Sequence, residues 1–300
     1  MTRILVLGGS GMLGHKLFQL LRDRFEGVVC TLRGDRASTP LSAIPLLAGT
    51  DVLWGVDASD WPALEHLIRA RRPEVVINAL GIIKQRALAK AVGPSIQINA
   101  LLPHQLAATL QEWDGRLIHF GTDCVFSGRK GAYRETDISD AADVYGKTKY
   151  LGEVAAATNA LTIRSSIIGR ELTHHHSLLD WFLAQNHGTV QGYQRAIYSG
   201  LTTNEMAEVV TLVLRQHRAL HGLYHVASEP ISKHDLLILL KDAYRLDVTI
   251  RPVAEPVIDL SLNGDRFIAA TGYVAPEWRR LVTNLAAGPT PYADWLASVR

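Results

Sequence analysis

The chain has 300 residues, 47% hydrophobic and 20% charged, an ordinary globular composition with ample material for a core. Its formal net charge of +2, without any basic run, gives no electrostatic basis for a nucleic-acid partner, although a small anionic ligand needs only a local cluster. Cys30 and Cys124 offer neither a disulfide framework nor a metal spacing, and no signal peptide or membrane-length apolar run stands out, so a soluble, cytoplasmic protein is expected.

Arg3 to Leu7 is a short branched run, as expected of a strand buried on both faces of a parallel sheet. Gly8, Gly11 and Gly14 follow, at the entrance to an apolar-periodic helix, Met12 to Arg22. Glycines there let the backbone approach a pyrophosphate, and the helix start, at Met12 and Leu13, supplies free amides and a positive dipole end. The same turn can also serve packing alone.

A second strand, Gly27 to Leu32, leads into Arg33, with Arg36 close behind. A guanidinium at this edge favours the 2′-phosphate of NADP over NAD, while Asp35 keeps NAD open and a solvated loop is the plain alternative. Residues 37–49 read as a loop with room for a short helical turn. Asp51 to Val56 reads as strand three, and Asp57 either accepts the adenine amino group or caps a helix from Trp61 to Arg71.

Strand four, Glu74 to Asn78, leads into Ala79-Leu80-Gly81, either a dinucleotide contact or a simple turn. A helical region including Ser95 to Trp113 and strand five, Arg116 to Phe120, continue the alternation. The expected class is α/β, a doubly wound parallel sheet of Rossmann type with ligands at the carboxyl ends of its strands, and a smaller C-terminal lobe.

Thr122 stands at such an end, and further on Tyr145 and Lys149 lie four residues apart, on one face of a predicted helix. A phenol beside an ammonium suits proton transfer at a carbonyl, the charge lowering the tyrosine pKa, with Thr122 holding the same oxygen. A surface Tyr and Lys on an amphipathic helix would give the same spacing.

Four ordered motifs now stand together: the Gly8, Gly11, Gly14 turn, Asn78-Ala79-Leu80-Gly81, Thr122 to Gly128, and Tyr145 to Lys149 with Gly152-Glu153. Together they resemble the extended short-chain dehydrogenase/reductases, and within them the dTDP-4-dehydrorhamnose reductase family of nucleotide-sugar reductases. The resemblance implies that Gly8, Gly11 and Gly14 line the cofactor pyrophosphate and that Thr122, Tyr145 and Lys149 form the catalytic triad. It implies that Tyr145 gives a proton to a sugar keto oxygen and that Lys149 also binds the nicotinamide ribose. Two positions depart from the pattern: Cys124 replaces a common aromatic residue, and Leu80 alters a turn of small residues.

Ala160 to Ile163 reads as another strand, and the Arg164 to Gly169 segment, with Ile167, resembles the family stretch that passes the nicotinamide. His174, His175 and His176 are adjacent and cannot all face one ion, so no metal is expected. In a predicted helix, Ser177 to Gln185, one of Trp181 and Phe182 is expected in the core while the other packs on a nucleobase. Arg195 is the candidate phosphate partner in the Gly192 to Thr203 segment, and Asp123, Cys124 and Trp181 are the other candidate substrate contacts. Helices from Asn204 to Arg215 and Lys233 to Leu246 flank a strand from Leu223 to Ala227. The expected division is a dinucleotide-binding domain, 1–168, and a substrate lobe, 169–300, with parts of 197–227 returning to the first domain.

Reduction of a 4-keto-6-deoxy nucleotide sugar is the leading expectation, in a possible homodimer. Cys124 opens a second one, because it stands two residues after Thr122. The related epimerase-reductases that make GDP-fucose exchange protons through a cysteine at that offset with a histidine opposite, a role open to His174, His175, His176 or His187. The related 4,6-dehydratases need an Asp-Glu pair, and Asp123 is followed by Cys124 instead. A third reading is a non-catalytic, NADP-binding regulatory subunit.

Overall fold

A computed structural model of the chain describes residues 3–83, 91–173 and 177–298. The branched apolar runs form β1 (Ile4–Leu7), β2 (Val28–Thr31), β3 (Val52–Leu53), β4 (Val75–Asn78), β5 (Arg116–Phe120) and β6 (Ala160–Arg164). Short pairings follow in β7 (Ile167–Ile168), β8 (Thr189–Tyr193), β9 (Ala196–Tyr198) and β10 (Leu201–Thr202), and then β11 (Gly222–His225). Seven strands make one parallel sheet in the order β11-β6-β5-β4-β1-β2-β3. The order reverses between β1 and β4, which opens a crevice at their carboxyl ends.

Helices cover both faces of this sheet. They are α1 (Met12–Arg22), α2 (Trp61–Arg71), α3 (Val92–Ser95), α4 (Leu102–Gln111), α5 (Val144–Leu151), α6 (Leu178–Leu183) and α7 (Thr203–Gln216). Alternate strand residues separate the two layers, as the period of a strand requires. Leu5, Leu7, Val76 and Leu117 pack with Leu64, Leu106 and Leu110 of α2 and α4. Ile4, Val6, Ile77 and Ile118 pack with Leu17 and Phe18 of α1 and Val210 of α7. Each fully buried aliphatic side chain contributes roughly 1.5–3 kcal/mol, so this doubly covered sheet is the rigid base that fixes the strand ends. Beyond it lie β12 (Ile231–Ser232), α8 (Lys233–Tyr244), β13 (Thr249–Val253), β14 (Ile258–Asp259), α9 (Asp265–Thr271), α10 (Trp278–Ala286) and α11 (Tyr292–Ser298).

Two local expectations change in detail, and a third is filled in. Strand three is only Val52–Leu53, because Gly55 turns the chain away at φ +74°. The 37–49 loop holds two 3₁₀ turns, Pro40–Ala43 and Pro45–Leu47, each opened by a proline already set for that geometry. The helical region expected to include Ser95 to Trp113 is α3, a π-helical stretch over Ile96–Leu101, and then α4. Pro103 in the first turn of α4 lacks an amide, so the ladder cannot run through it unchanged. Among the described residues no helix is long and apolar enough to cross a membrane.

Candidate active site

The turn after β1 is built for close approach. Gly8 adopts φ +88°, and a Cβ on Gly14 would lie 2.0 Å from the Gly8 carbonyl oxygen, so α1 rests directly on the end of β1. Gly11, the N-cap of α1, makes no side-chain capping bond, and a Cβ there would meet nothing nearer than the Gly8 oxygen at 3.4 Å. Its outer side is therefore open, and the first amides of α1, at Met12 and Leu13, face an uncapped, positive helix end.

A cavity of about 350 Å³ adjoins this turn, lined among others by Ser10, Gly11, Arg33, Thr39, Trp54 and Thr173. Open glycine, helix terminus and guanidinium fit a phosphate-bearing dinucleotide. Arg33 reaches the wall of this cavity, whereas Arg36 bonds the Ala48 carbonyl at 2.9 Å instead. Asp57 is exposed, and it accepts from the amide and hydroxyl of Ser59. These bonds hold its carboxyl below the usual range, and the cap of α2 is Asp60, which accepts from Ala63 N. Ala79, Leu80 and Gly81 follow β4, and Leu80 packs over Gly8, its Cδ2 2.9 Å from where a Gly8 Cβ would stand. The hydroxyls of Ser10, Thr39 and Thr173 escape a reading by motif, since only the fold gathers them.

The second half of the site joins β5 to α5. Asp143 caps α5 by accepting from Gly146 N at 2.8 Å. A Cβ on Gly146 would stand 2.3 Å from the Cys124 carbonyl oxygen, and one on Gly152 would stand 1.9 Å from that of Asn99. These two glycines let α5 press against the Thr122 turn at one end and the π-helical stretch at the other. The Tyr145 phenol is thereby brought to the Thr122 hydroxyl, and Lys149 Nζ donates to the Phe120 carbonyl at 2.6 Å.

Burial pushes the Tyr145 phenol well up, with Cys124 adding to the effect and the Thr122 hydroxyl opposing it. The expectation that Lys149 lowers this pKa is not met in the arrangement described. Lys149 directs one N–H to the Phe120 carbonyl, and burial holds its own pKa at about 8, with Glu153 opposing the fall.

Asn99 was missed by the sequence reading, although an asparagine inside an apolar helix is a signal. Its side chain bonds both the amide and the carbonyl of Ile82, at 2.8 and 3.0 Å, and approaches Thr148 Oγ1 of α5 at 3.4 Å. It links the segment after β4 to the helix that carries Tyr145. Behind Lys149, Glu153 and Arg164 form a buried fork at 2.5 and 2.6 Å, and Arg164 continues to His225 Nε2 at 3.1 Å.

Asp123 is only 2% exposed, and its carboxylate takes hydrogen bonds from Thr122, Cys124 and Ser166. Burial pushes its pKa up despite those bonds. Instead of offering a free carboxylate to a ligand, it braces the turn that carries Thr122. Cys124 is half-buried, beside the Tyr145 phenol. Ile167 lies half-buried in β7.

Phe182 is fully buried while Trp181 is 40% exposed on α6, and Arg195 is exposed in the turn between β8 and β9. Thr122 and Lys149 are buried, and Tyr145 is half-buried. His187 is exposed, in a loop where its Nδ1 lies 3.1 Å from Asp247 Oδ2. His174, His175 and His176 lie outside the described residues.

With this geometry in place, the likeness to known proteins is specific. The family described as RmlD substrate binding domain matches residues 1–284. A dTDP-4-dehydrorhamnose reductase of Aggregatibacter actinomycetemcomitans is 25% identical over 312 aligned positions, covering 96% of this chain and 99% of the relative. Methionine adenosyltransferase 2 subunit beta of Pongo abelii is 26% identical over 281, covering 85% and 77%. The crystal structure of dTDP-4-dehydrorhamnose reductase from Bacillus anthracis in complex with NADP superposes with a TM-score of 0.76 at 17% identity, over 95% of this chain and 99% of that one. On the match across 1–284, the chain belongs to the RmlD substrate binding domain family, the dTDP-4-dehydrorhamnose reductase family that its motifs resemble.

Proposed function

We propose that this protein is an NADPH-dependent reductase of a 4-keto-6-deoxy nucleotide sugar, with Thr122, Tyr145 and Lys149 as its catalytic residues. The observation that carries this reading is the approach of the Tyr145 phenol to the Thr122 hydroxyl, at the same sheet edge as the open Gly8–Gly14 turn. The NADP named with the Bacillus anthracis structure and the reductase relative support it.

Bound NADPH supplies a hydride to the keto carbon. Gly8, Gly11, Met12, Leu13 and Gly14 would hold its pyrophosphate and Arg33 its 2′-phosphate, while Asp57 would face its adenine. Ala79, Leu80, Gly81 and Ile167 would flank it, and Lys149 would bind the nicotinamide ribose. NAD remains the other candidate.

Tyr145 keeps its proton at neutral pH, because burial disfavours the phenolate, and so it acts as general acid toward the keto oxygen. Thr122 holds that same oxygen by its hydroxyl. Lys149 ties the helix that carries Tyr145 to the end of β5 through the Phe120 carbonyl. Asp123 fixes Thr122 and Cys124 from below, and Trp181 and Arg195 would meet the nucleotide end of the substrate. Residues 1–168 form the cofactor domain together with α7 and β11, and the rest of 169–300 forms the substrate lobe. Neither Cys30 nor Cys124 is in a disulfide, which suits the cytosol. Exposed Val92, Ile96 and Leu101 beside Tyr150 and Leu151 suit a contact between two copies.

Purified protein mixed with NADPH and a panel of dTDP-, UDP- and GDP-linked 4-keto-6-deoxy sugars should oxidise NADPH with at least one of them. No oxidation with any nucleotide form would sink the reading. Because Cys124 adjoins Tyr145, epimerisation before reduction is the second reading. Solvent deuterium at carbon 3 or 5 of the product would establish it, and a product free of deuterium there would leave reduction alone. Tight NADPH binding without turnover would point instead to a regulatory role, that of a subunit like the methionine adenosyltransferase relative.

A further inference from the structure

The last helix, α11, lies beyond the 1–284 stretch that the family matches, and it clasps the back of the cofactor turn. Lys16 Nζ, buried on α1, donates to Thr290 Oγ1 at 2.6 Å and to Gln19 Oε1 at 2.9 Å. The Tyr292 ring lies between two cations, Lys16 Nζ at 5.2 Å and the Arg170 guanidinium at 5.1 Å, with the buried Trp295 packed edge-on at 5.9 Å. α11 also rests on the Pro40–Ala43 turn, and Pro40 and Leu41 line the same cavity as Gly11 and Arg33.

Tyr292 reaches the turn through a two-bond chain. Its hydroxyl stands 2.7 Å from His15 Nε2, and His15 Nδ1 stands 2.8 Å from the Gly11 carbonyl oxygen. A carbonyl only accepts, so Nδ1 carries the hydrogen and Nε2 takes the phenol proton of Tyr292. His15 has no solvent exposure, and burial holds its pKa at about 3, so this neutral tautomer persists. The Gly11 carbonyl also accepts from His15 N at 3.0 Å, so two donors fix its direction. That carbonyl and the Met12 amide belong to one planar peptide unit and point oppositely. Holding the oxygen toward α1 therefore aims the Met12 N–H outward, at the place of the anion. A glycine peptide is the easiest kind to rotate, so the clamp has work to do there.

We propose that Tyr292 and His15 are positioning residues for the dinucleotide, by which the C-terminal segment orients the Gly11–Met12 peptide from behind. The proposal rests on the NADPH-binding reading of the turn. Its test is fluorescence titration of the full-length protein with NADPH, comparing the unaltered chain, Tyr292→Phe, His15→Asn and the double variant. Tyr292→Phe keeps the ring and its packing and deletes the hydroxyl that meets His15 and Thr290. We expect its NADPH Kd to rise about two- to tenfold, the range of one hydrogen bond, with kcat at saturating NADPH unchanged. An asparagine at 15 offers its own amide donor to Gly11, so in that background Tyr292→Phe should change Kd no further. A Tyr292→Phe protein of unaltered Kd, or one weakened equally in both backgrounds, would overturn the proposal while leaving the cofactor reading intact. If His15→Asn does not fold, Tyr292→Phe alone decides. Failure of the unaltered protein to bind NADPH would instead remove the cofactor reading, and this proposal with it. A lowered melting temperature in Tyr292→Phe with unchanged Kd would mark a purely structural strap and overturn the proposal too.

Discussion

Lys149 Nζ lies 2.6 Å from the Phe120 carbonyl oxygen, so one buried ammonium ties α5 to the last residue of β5. These are the elements that carry Tyr145 and lead to Thr122, and the bond sets the distance between the Tyr145 phenol and the Thr122 hydroxyl.

The charge on Lys149 has an unusually low limit. Burial brings its pKa to about 8, so the ammonium is intact below that pH and is lost as pH rises through it. Reductase activity should fall on the alkaline side of about 8. Glu153 opposes the burial effect, so Glu153→Gln should move that limb to lower pH. A kcat/KM profile against pH checks both, and an unmoved limb in Glu153→Gln would contradict the assignment.

Tyr145→Phe removes the proposed proton donor while keeping the ring. The rate should drop by about two to four orders of magnitude, with the NADPH Kd little changed. Stopped-flow measurement of NADPH oxidation, alongside a binding titration, separates the two effects. Thr122→Ala should also slow the reaction, since it leaves Tyr145 and the substrate oxygen without their shared hydroxyl.

Two glycines should respond in opposite ways to an added methyl. At Gly11 the space is open, so Gly11→Ala should leave the cofactor-free melting temperature nearly unchanged and weaken NADPH binding. At Gly152 a Cβ would stand 1.9 Å from the Asn99 carbonyl oxygen, so Gly152→Ala should destabilise the fold itself, by about 1–3 kcal/mol or more. Thermal melts with and without NADPH distinguish the two.

Arg33→Ala should lower the preference for NADPH over NADH by about tenfold or more, the worth of a hydrogen bond to a charged group. Arg36→Ala should not, because its guanidinium is engaged with Ala48. The ratio of kcat/KM for the two cofactors is the measurement.

Much of the architecture was legible from local chemistry. Branched runs, a glycine-punctuated turn and a 3.6-residue period are properties of neighbours along the chain, so the β1–α1 unit, α2, β5 and the Tyr145 helix follow from sequence. The broken helix before α4 was less legible, because Pro103 and the demand of Asn99 for Ile82 act together only after folding. What tertiary structure alone decided is which side chains are free. It buried Asp123 under Thr122 and Ser166, sent His187 to the surface, engaged Arg36 elsewhere and left Arg33 on a cavity wall. It also brought Tyr292 to His15 across 277 residues and Arg164 to Glu153 and His225. Residue type and spacing determine what a group can do. Desolvation and distant partners, which exist only in the folded chain, determine whether it is at liberty to do so.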